Sequence, residues 1–280
     1  MEDIVSTQWL ADQLGAGDLT VVDATRHHFE PQRDSAAEFK AGHIPGAVFL
    51  DLLNLVDHDA PVDNTMPTPQ QFEKRMRELG IDRGQRIVVY DDSIVKTATR
   101  AWFMFRAFGL TDVAVLDGGM GKWKAEGRPL EAGEAERTPS NFTAVFDPAM
   151  LRDKQQVLAN IDSQAEQHLD ARGAAHFTGE DDDPNPVVAA GHVPGSVNVP
   201  FWDLFDEDGT FKSAEELRAA FDARGVDYSR PAITSCGGGV VACALAIALR
   251  RTGKEDIALY DGSWTEWGSD PDLPKAKGAA

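Results

Sequence analysis

Cys236 is the residue in this sequence with the clearest chemical potential. It follows the apolar run PAITS, precedes three consecutive glycines, residues 237–239, and is followed by an Ala- and Leu-rich helical pattern. This order predicts a strand, a tight loop and a helix. Glycines permit positive φ, so backbone N–H groups of the loop can turn toward the sulfur. Together with the helix N-terminus they favour thiolate over thiol, which predicts a nucleophile near neutral pH.

The same pattern has other interpretations. A buried cysteine can be only a small apolar side chain, and glycine-rich loops also bind phosphates and dinucleotides. The chain has no G-x-x-x-x-G-K-[ST] motif. Ala242 stands at the sixth position after Cys236, where a cysteine phosphatase needs an arginine. Dephosphorylation is therefore disfavoured, whereas stabilisation of a bound or transferred anionic sulfur stays open.

The chain repeats itself once. GHIPGA at residues 42–47 matches GHVPGS at residues 191–196, and Asp91 occupies the position that corresponds to Cys236. Four pairs of segments carry the rest of the match in the same order: VVDAT with HLDAR, ELGID with ARGVD, RIVVYD with PAITSC, and LDGGMGKW with YDGSWTEW. The period is too long for a solenoid, so each copy is expected to be one compact domain.

Strands that alternate with helices must position the loop. The apolar runs LTVVDA, RIVVYD, VAVLD, PAITS and IALYD are short and do not alternate, which is typical of strands buried on both faces. One helix is predicted to begin at Thr68 or the proline after it and to end at Gly80. Another has Ser213 as N-cap, Glu216 as capping-box partner and Gly225 as its stop. The fold class is therefore α/β, with a mainly parallel sheet flanked by helices in each copy.

Length and composition agree with two globular domains. At 280 residues, with 42% hydrophobic and 26% charged residues, the chain is neither fibrous nor disordered. We expect an N-terminal domain at 1–130, a polar linker at 131–148 and a C-terminal domain at 149–280. The net charge of −19 disfavours nucleic acid and anionic membranes as partners. Two cysteines and the absence of a signal-like or membrane-spanning segment predict a cytoplasmic protein.

The motifs AGHIPGA, AGHVPGS, CGGGVVAC, LDGGMGKW and YDGSWTEW together resemble the tandem rhodanese-domain sulfurtransferases, a family that includes thiosulfate and 3-mercaptopyruvate sulfurtransferases. The resemblance spans nearly the whole chain. It implies a catalytically silent N-terminal domain, in agreement with Asp91, because a carboxylate cannot carry a sulfane sulfur. It also implies that Cys236 takes sulfur from a donor, becomes a persulfide, and passes the sulfur to cyanide or another thiophilic acceptor. No cofactor is expected.

The family resemblance further implies a loop that stabilises the negative charge of the terminal sulfur, as an oxyanion hole does for oxygen. The residues expected to supply this loop are Gly237, Gly238, Gly239, Val240 and Val241.

The donor stays open because neither donor signature is intact. Mercaptopyruvate enzymes place a hydroxyl where this chain has Gly238, and two of their arginines correspond to His176 and Asn185. Thiosulfate enzymes carry basic side chains at the positions of Gly237 and Gly238. Arg100 matches the family's first-domain arginine that faces the active-site cleft, although it could instead pair with a surface carboxylate. Arg100 and His176 are therefore the candidate substrate-binding residues.

Other polar residues have structural interpretations. His43 and His192 occur in both copies, including the silent one, which indicates a structural role. His27 and His28 lack a companion ligand cluster, so no metal site is expected. Cys243 follows the loop by about two helical turns, and core packing is its expected role.

Three functions are consistent with the sequence. The leading one is an enzyme that takes sulfur from thiosulfate or 3-mercaptopyruvate. The second is a persulfide relay module that receives sulfur from a protein partner, and the third is a degenerate scaffold.

Overall fold

A computed structural model describes residues 1–134 and 137–279 and shows two five-stranded sheets in which every strand pair is parallel. The first sheet has the order β1-β5-β4-β2-β3 and the second β6-β10-β9-β7-β8, which is the same order twice. The strands are β1 Ile4–Val5, β2 Leu19–Asp23, β3 Val48–Phe49, β4 Arg86–Tyr90, β5 Val113–Leu116, β6 Leu151–Arg152, β7 Gln167–Asp170, β8 Val197–Asn198, β9 Ala232–Ser235 and β10 Ile257–Tyr260. The predicted α/β fold is confirmed.

Helices connect the strands in both halves. They are α1 Thr7–Gln13, α2 Ser35–Ala41, α3 Pro69–Glu78, α4 Thr97–Ala107, α5 Gly119–Ala125, α6 Lys154–Ser163, α7 Ala174–Thr178, α8 Ala214–Ala223, α9 Ala242–Arg251 and α10 Ser263–Ser269, with 3-10 turns at Pro148–Met150 and Phe201–Leu204. Both predicted helix starts are confirmed: Thr68 forms a capping box with Gln71, and Ser213 forms one with Glu216.

The two halves also bury equivalent side chains. Trp123 and Trp267 are fully buried, and each indole N–H donates to a proline carbonyl, that of Pro129 at 2.9 Å and that of Pro274 at 2.8 Å. The central strands β4 and β9 are buried along almost their whole length, as their continuous apolar runs predict. The two β-strand ends that carry Asp91 and Cys236 are therefore held by rigid, similar cores.

The chain divides into two compact units, each of which includes a short segment from the other half of the sequence. The first unit comprises Met1–His58, Met66–Asp147 and Glu207–Phe211, and the second comprises Asp59–Thr65, Pro148–Asp206 and Lys212–Ala280. The boundaries at 1–130, 131–148 and 149–280 stay a prediction, and residues 135 and 136 of that linker lie outside the described residues. Within the described ranges, no helix is long and apolar enough to cross a membrane.

Candidate active site

Cys236 lies directly after β9 and six residues before α9 begins, at the carboxyl end of the central strand of the second unit. Only 2% of the residue is exposed. The backbone N–H groups of Ala242, Gly238 and Val241 act on its sulfur and favour the thiolate. Two of these residues belong to the predicted loop, whereas Ala242, the first residue of α9, was missed. Three convergent N–H donors form a site that favours negative charge on sulfur.

Burial nevertheless raises the pKa of the Cys236 thiol above its ordinary value. The three backbone hydrogen bonds lower the pKa, with that of Ala242 the largest, but they do not overcome desolvation, and the charge of Asp170 raises the pKa further. The amides act in the predicted direction, but the expected net preference for the thiolate was wrong because burial outweighs them. The sequence indicated the amide donors but not the degree of burial, which is a property of the packed fold.

The three glycines of the loop differ in backbone conformation and in the space available for a Cβ. Gly239 has φ +74°, in the left-handed region that favours glycine. Gly237 has nothing within 4 Å of the position a Cβ would take, and a Cβ on Gly238 would lie 3.3 Å from Nδ2 of Asn64. The Sγ–H of Cys243 donates to the Gly239 carbonyl at 3.4 Å, so the second cysteine supports the loop from within the core.

Helix α10 also holds the loop, a contact that no local sequence pattern predicts. The N–H of Cys236 donates to the Ser263 hydroxyl at 3.1 Å, and the N–H of Trp264 donates to the Cys236 carbonyl at 3.0 Å. Both the N–H and the hydroxyl of Thr265 donate to the Gly237 carbonyl at 2.8 Å. A signal was present in the repeat, because the two hydroxyl residues of YDGSWTEW replace glycines of LDGGMGKW.

Strand β7 supports the site beside β9. Asp170 accepts a forked pair of hydrogen bonds from Arg172, the shortest at 2.7 Å, and the guanidinium lies 4.5 Å from the ring centroid of Trp264. His168 contacts the Ser235 hydroxyl through Nε2 at 2.7 Å. Burial lowers the pKa of His168 to about 4, so this ring is neutral at pH 7. The neighbours of the cysteine strand are thus fixed by buried polar pairs.

The two candidate substrate-binding residues differ in their surroundings. Arg100 lies on α4 of the first unit and is 4% exposed, which argues against pairing at the surface. His176 lies exposed on α7 of the second unit, and its side chain makes no hydrogen bond within the described part of the chain. Their roles toward a donor stay a prediction.

The paired histidines have the structural role that their symmetry predicts. His43 and His192 are buried and stack on Phe39 and Phe177, with ring centroids 4.0 and 3.8 Å apart. Each Nδ1 contacts the carbonyl of the phenylalanine on which the ring stacks, at 2.9 and 2.7 Å. Among the residues described, no group of three or more His, Cys, Asp or Glu side chains is arranged to hold a metal ion.

The first unit carries a carboxylate where the second carries sulfur. Asp91 follows β4, is 6% exposed, and accepts a hydrogen bond from the Thr97 hydroxyl at 3.2 Å. Burial raises the pKa of Asp91 to about 6, although Lys96 and Thr97 act in the opposite direction. Its carbonyl accepts the N–H of Met120 at 2.9 Å, as that of Cys236 accepts the N–H of Trp264.

Comparison with protein-family models decides the family. The model of the rhodanese-like domain matches twice, at residues 6–126 and 153–270. The chain belongs to the rhodanese family. Two matches confirm the tandem arrangement of rhodanese domains that the internal repeat predicted.

Individual relatives of this chain are enzymes with a named activity. The chain is 40% identical over 271 residues to the 3-mercaptopyruvate sulfurtransferase of Escherichia coli (strain K12), covering 96% of each chain. It is 39% identical over 272 residues to the bovine (Bos taurus) thiosulfate sulfurtransferase, covering 94% of this chain and 91% of the relative. The structure of SseA from Escherichia coli, described as a 3-mercaptopyruvate sulfotransferase, superposes with a TM-score of 0.86 at 37% identity, over 94% of this chain and 99% of that one. The predicted enzyme class, a sulfurtransferase, is confirmed.

Proposed function

We propose that this rhodanese-family enzyme moves a sulfane sulfur from 3-mercaptopyruvate or thiosulfate through a persulfide on Cys236 to cyanide or a thiol acceptor. The Cys236 thiolate forms a bond to the outer sulfur of the donor. The donor's C–S bond or S–S bond breaks, and the electron pair leaves with pyruvate enolate, which takes up a proton, or with sulfite. The acceptor then attacks the outer sulfur of the persulfide, and the thiolate is the leaving group.

The observation that carries this proposal is the convergence of the Ala242, Gly238 and Val241 N–H groups on the Cys236 sulfur. A persulfide places negative charge on its terminal sulfur, and fixed N–H dipoles in a buried site stabilise such charge without reorganisation. The free thiol is less acidic than usual because of burial, so the loop N–H groups favour the thiolate against a desolvation cost.

We assign the choice of sulfur donor to side chains that lie outside the glycine loop. Gly237 and Gly238 offer the donor no charged side chain, which leaves backbone N–H groups as the polar surface of the loop. We assign the anionic end of the donor to the forked guanidinium of Arg100, with the imidazole of His176 as a second polar contact. Several curated relatives are named for 3-mercaptopyruvate and others for thiosulfate, and both donors are retained in the proposal.

Intact mass after exposure to each donor tests the proposal. Wild type is expected to gain one sulfur from at least one donor and to lose it on adding cyanide. The Cys236→Ala variant is expected to gain none. Cys243→Ser is the matched control, since it removes the second thiol but keeps a donor for the Gly239 carbonyl. A mass gain in Cys236→Ala, or none in wild type with either donor, contradicts the proposal.

A persulfide relay is the second candidate, and the uncharged glycine loop is the feature that favours it. A structural relative with a TM-score of 0.89 and 28% identity is described as a sulfur transferase subunit of yeast mitochondrial complex I. In the relay, a protein persulfide replaces the small donor as the source of sulfur. Loading from a protein persulfide but from neither small donor would favour the relay. A reducing compartment such as the cytoplasm suits either function, because Cys236 and Cys243 are both free thiols.

A further inference from the structure

Ser263 and Thr265 form a clamp under the backbone of the cysteine loop. The Ser263 hydroxyl accepts the Cys236 N–H at 3.1 Å and donates to the Tyr260 carbonyl at 2.8 Å, so it links the loop to the end of β10. Thr265 binds the Gly237 carbonyl twice, through its N–H and its hydroxyl, at 2.8 Å each. None of these contacts places either side chain against the sulfur. Both side chains instead contact the backbone of Cys236 and Gly237.

The backbone at Ser263 indicates that the hydroxyl is retained against a local penalty. Ser263 has φ +50° and is fully buried. Left-handed φ is unfavourable for a residue with a Cβ, and glycine would adopt it freely. Strain of this kind persists where the surrounding structure requires it and is concentrated at functional sites. The position therefore keeps a hydroxyl where glycine would fold more easily.

The first unit provides the internal comparison. The residue equivalent to Ser263 is Gly119, with φ +56°, and Gly121 stands in place of Thr265. A Cβ on Gly119 would lie 2.4 Å from the Asp91 carbonyl oxygen, so the glycine is required there. The N–H of Met120 donates to the Asp91 carbonyl at 2.9 Å, which repeats the contact of Trp264 with the Cys236 carbonyl. The unit without a thiol thus lacks both clamp hydroxyls.

We propose that Ser263 and Thr265 are positioning residues for sulfur transfer, which hold the backbone of Cys236 and Gly237 so that the loop amides stay directed at the sulfur. The proposal rests on the proposed function of Cys236 as sulfur carrier. A displaced loop would misalign the N–H donors, which act on the thiolate and the persulfide far more than on the donor in its ground state. The clamp therefore acts on the transfer rate rather than on donor affinity.

The test compares Ser263→Gly, Thr265→Val and Thr265→Ser with wild type in the full chain. Ser263→Gly removes the hydroxyl and the strain together, and Thr265→Ser restores the hydroxyl that Thr265→Val removes. Ser269→Ala is the matched control, because Ser269 lies on the same helix and its hydroxyl donates to the Thr265 carbonyl without touching the loop. The measurements are single-turnover sulfur loading, kcat and KM for thiosulfate and 3-mercaptopyruvate, the pH profile of Cys236 alkylation, and the unfolding temperature.

We expect Ser263→Gly to slow loading about 10- to 100-fold, a typical result of a small misplacement of reacting groups. The midpoint of alkylation should move up by about one pH unit as the amides lose alignment, while KM changes less than about threefold. Thr265→Val should slow loading about threefold to tenfold, since its N–H still donates. Thr265→Ser and Ser269→Ala should match wild type. The unfolding temperature of Ser263→Gly should stay within about 3 °C, because relief of strain offsets the lost hydroxyl.

An unchanged alkylation profile and loading rate in a folded Ser263→Gly protein would overturn the proposal. If that variant does not fold, the Thr265→Val and Thr265→Ser pair decides, and equal rates in both would overturn it. If wild type takes no sulfur from either donor, the proposed function fails separately, and the alkylation profile still tests whether the clamp controls the thiol. An unshifted profile in Ser263→Gly would then overturn the clamp as well.

Discussion

The loops after β4 and β9 leave equivalent strands of two sheets with the same order, and each is followed by a helix at the same distance, at Thr97 and Ala242. In the second loop three backbone N–H groups act on sulfur. In the first loop a carboxylate occupies that position, and Thr97 supplies both a hydroxyl and an N–H to it. The parallel sheet therefore supplies the location, whereas the loop residues and α10 supply the chemistry.

The two loops also differ in where their backbone is left-handed and in which side chains hold them. The first loop adopts left-handed φ at Lys96, just before its helix, and the second adopts it at Gly239. Asp92 of the first loop is paired with Arg33 at 3.0 Å and Lys124 at 3.6 Å, so its tip is fixed by ion pairs. The glycine loop contains no charged side chain and is held by α10 and by Cys243. One of the two equivalent loops is thus stabilised by ion pairs of its own Asp92, and the other by hydrogen bonds from α10.

Removing the thiol from the second loop, and placing one in the first, should affect sulfur transfer most strongly. Cys236→Ala should lower sulfur transfer by at least about 10³-fold, as expected when the nucleophile is removed. Adding Asp91→Cys to that variant should not restore transfer, because the first loop surrounds this position with Thr97 and Lys96, whereas three loop amides act on Cys236. Intact mass after donor treatment and cyanide release measure both. Sulfur on the introduced cysteine would show that the sheet position alone is sufficient.

Several features that the two units share could be predicted from the sequence. The repeat, the central strands and both capping boxes follow from local patterns such as the alternation of apolar runs with turns and the spacing of Ser213 and Glu216. The two-residue edge strands such as β3 were missed, because so short a run has no periodicity. Exchange of segments 59–65 and 207–211 between the units was also missed, since it depends on long-range packing.

The site was predictable in identity but not in energetics. Cys236 and the amides of Gly238 and Val241 follow from a strand, a glycine loop and a helix in succession. The direction of the shift in the thiol pKa does not follow from that sequence pattern, because desolvation depends on which atoms the complete fold packs around the sulfur. The role of Ser263 required a backbone angle and a hydrogen bond between distant segments, and only the substitution of a repeat glycine hinted at it.

The next effect concerns the free energy of unfolding of the first unit. Because burial raises the pKa of Asp91 to about 6, the folded first unit keeps this proton while the unfolded chain loses it near pH 4. Stability is therefore present below about pH 4 and lost as pH rises through about 6, a loss of up to about 3 kcal/mol. Asp91→Asn should remove this loss and raise the unfolding free energy above pH 6. Hydrogen exchange of the β4 amides at pH 5 and 7.5, corrected for intrinsic rates, measures it. An undiminished slope in the variant would contradict the assignment.

The second unit should show the opposite sign. Burial lowers the pKa of His168 to about 4, with Asp170 opposing and Arg172 adding to the shift. Below about pH 6.5 the unfolded chain binds a proton that the folded unit does not, so stability falls as pH decreases toward 4, by up to about 3 kcal/mol. His168→Gln, which can keep a hydrogen bond to Ser235, should flatten this slope. Exchange of the β9 amides measures it, and Asp91→Asn serves as the control that should leave the β9 slope unchanged.

The smallest effect tests whether the left-handed residue of the cysteine loop matters as much as its amides. Gly239→Ala places a Cβ at φ +74°, which costs about 1–2 kcal/mol. The loop can relieve this strain only by rotating the peptide units beside it, and they adjoin the Val241 N–H that reaches the sulfur. We therefore expect loading to fall about tenfold. Gly237→Ala is the matched comparison, because its φ is ordinary and a Cβ there meets nothing within 4 Å, and its loss should be smaller. Equal losses in the two variants would mean that any side chain in the loop obstructs the donor. The difference between the two loops would then lie in access to the sulfur and not in backbone conformation.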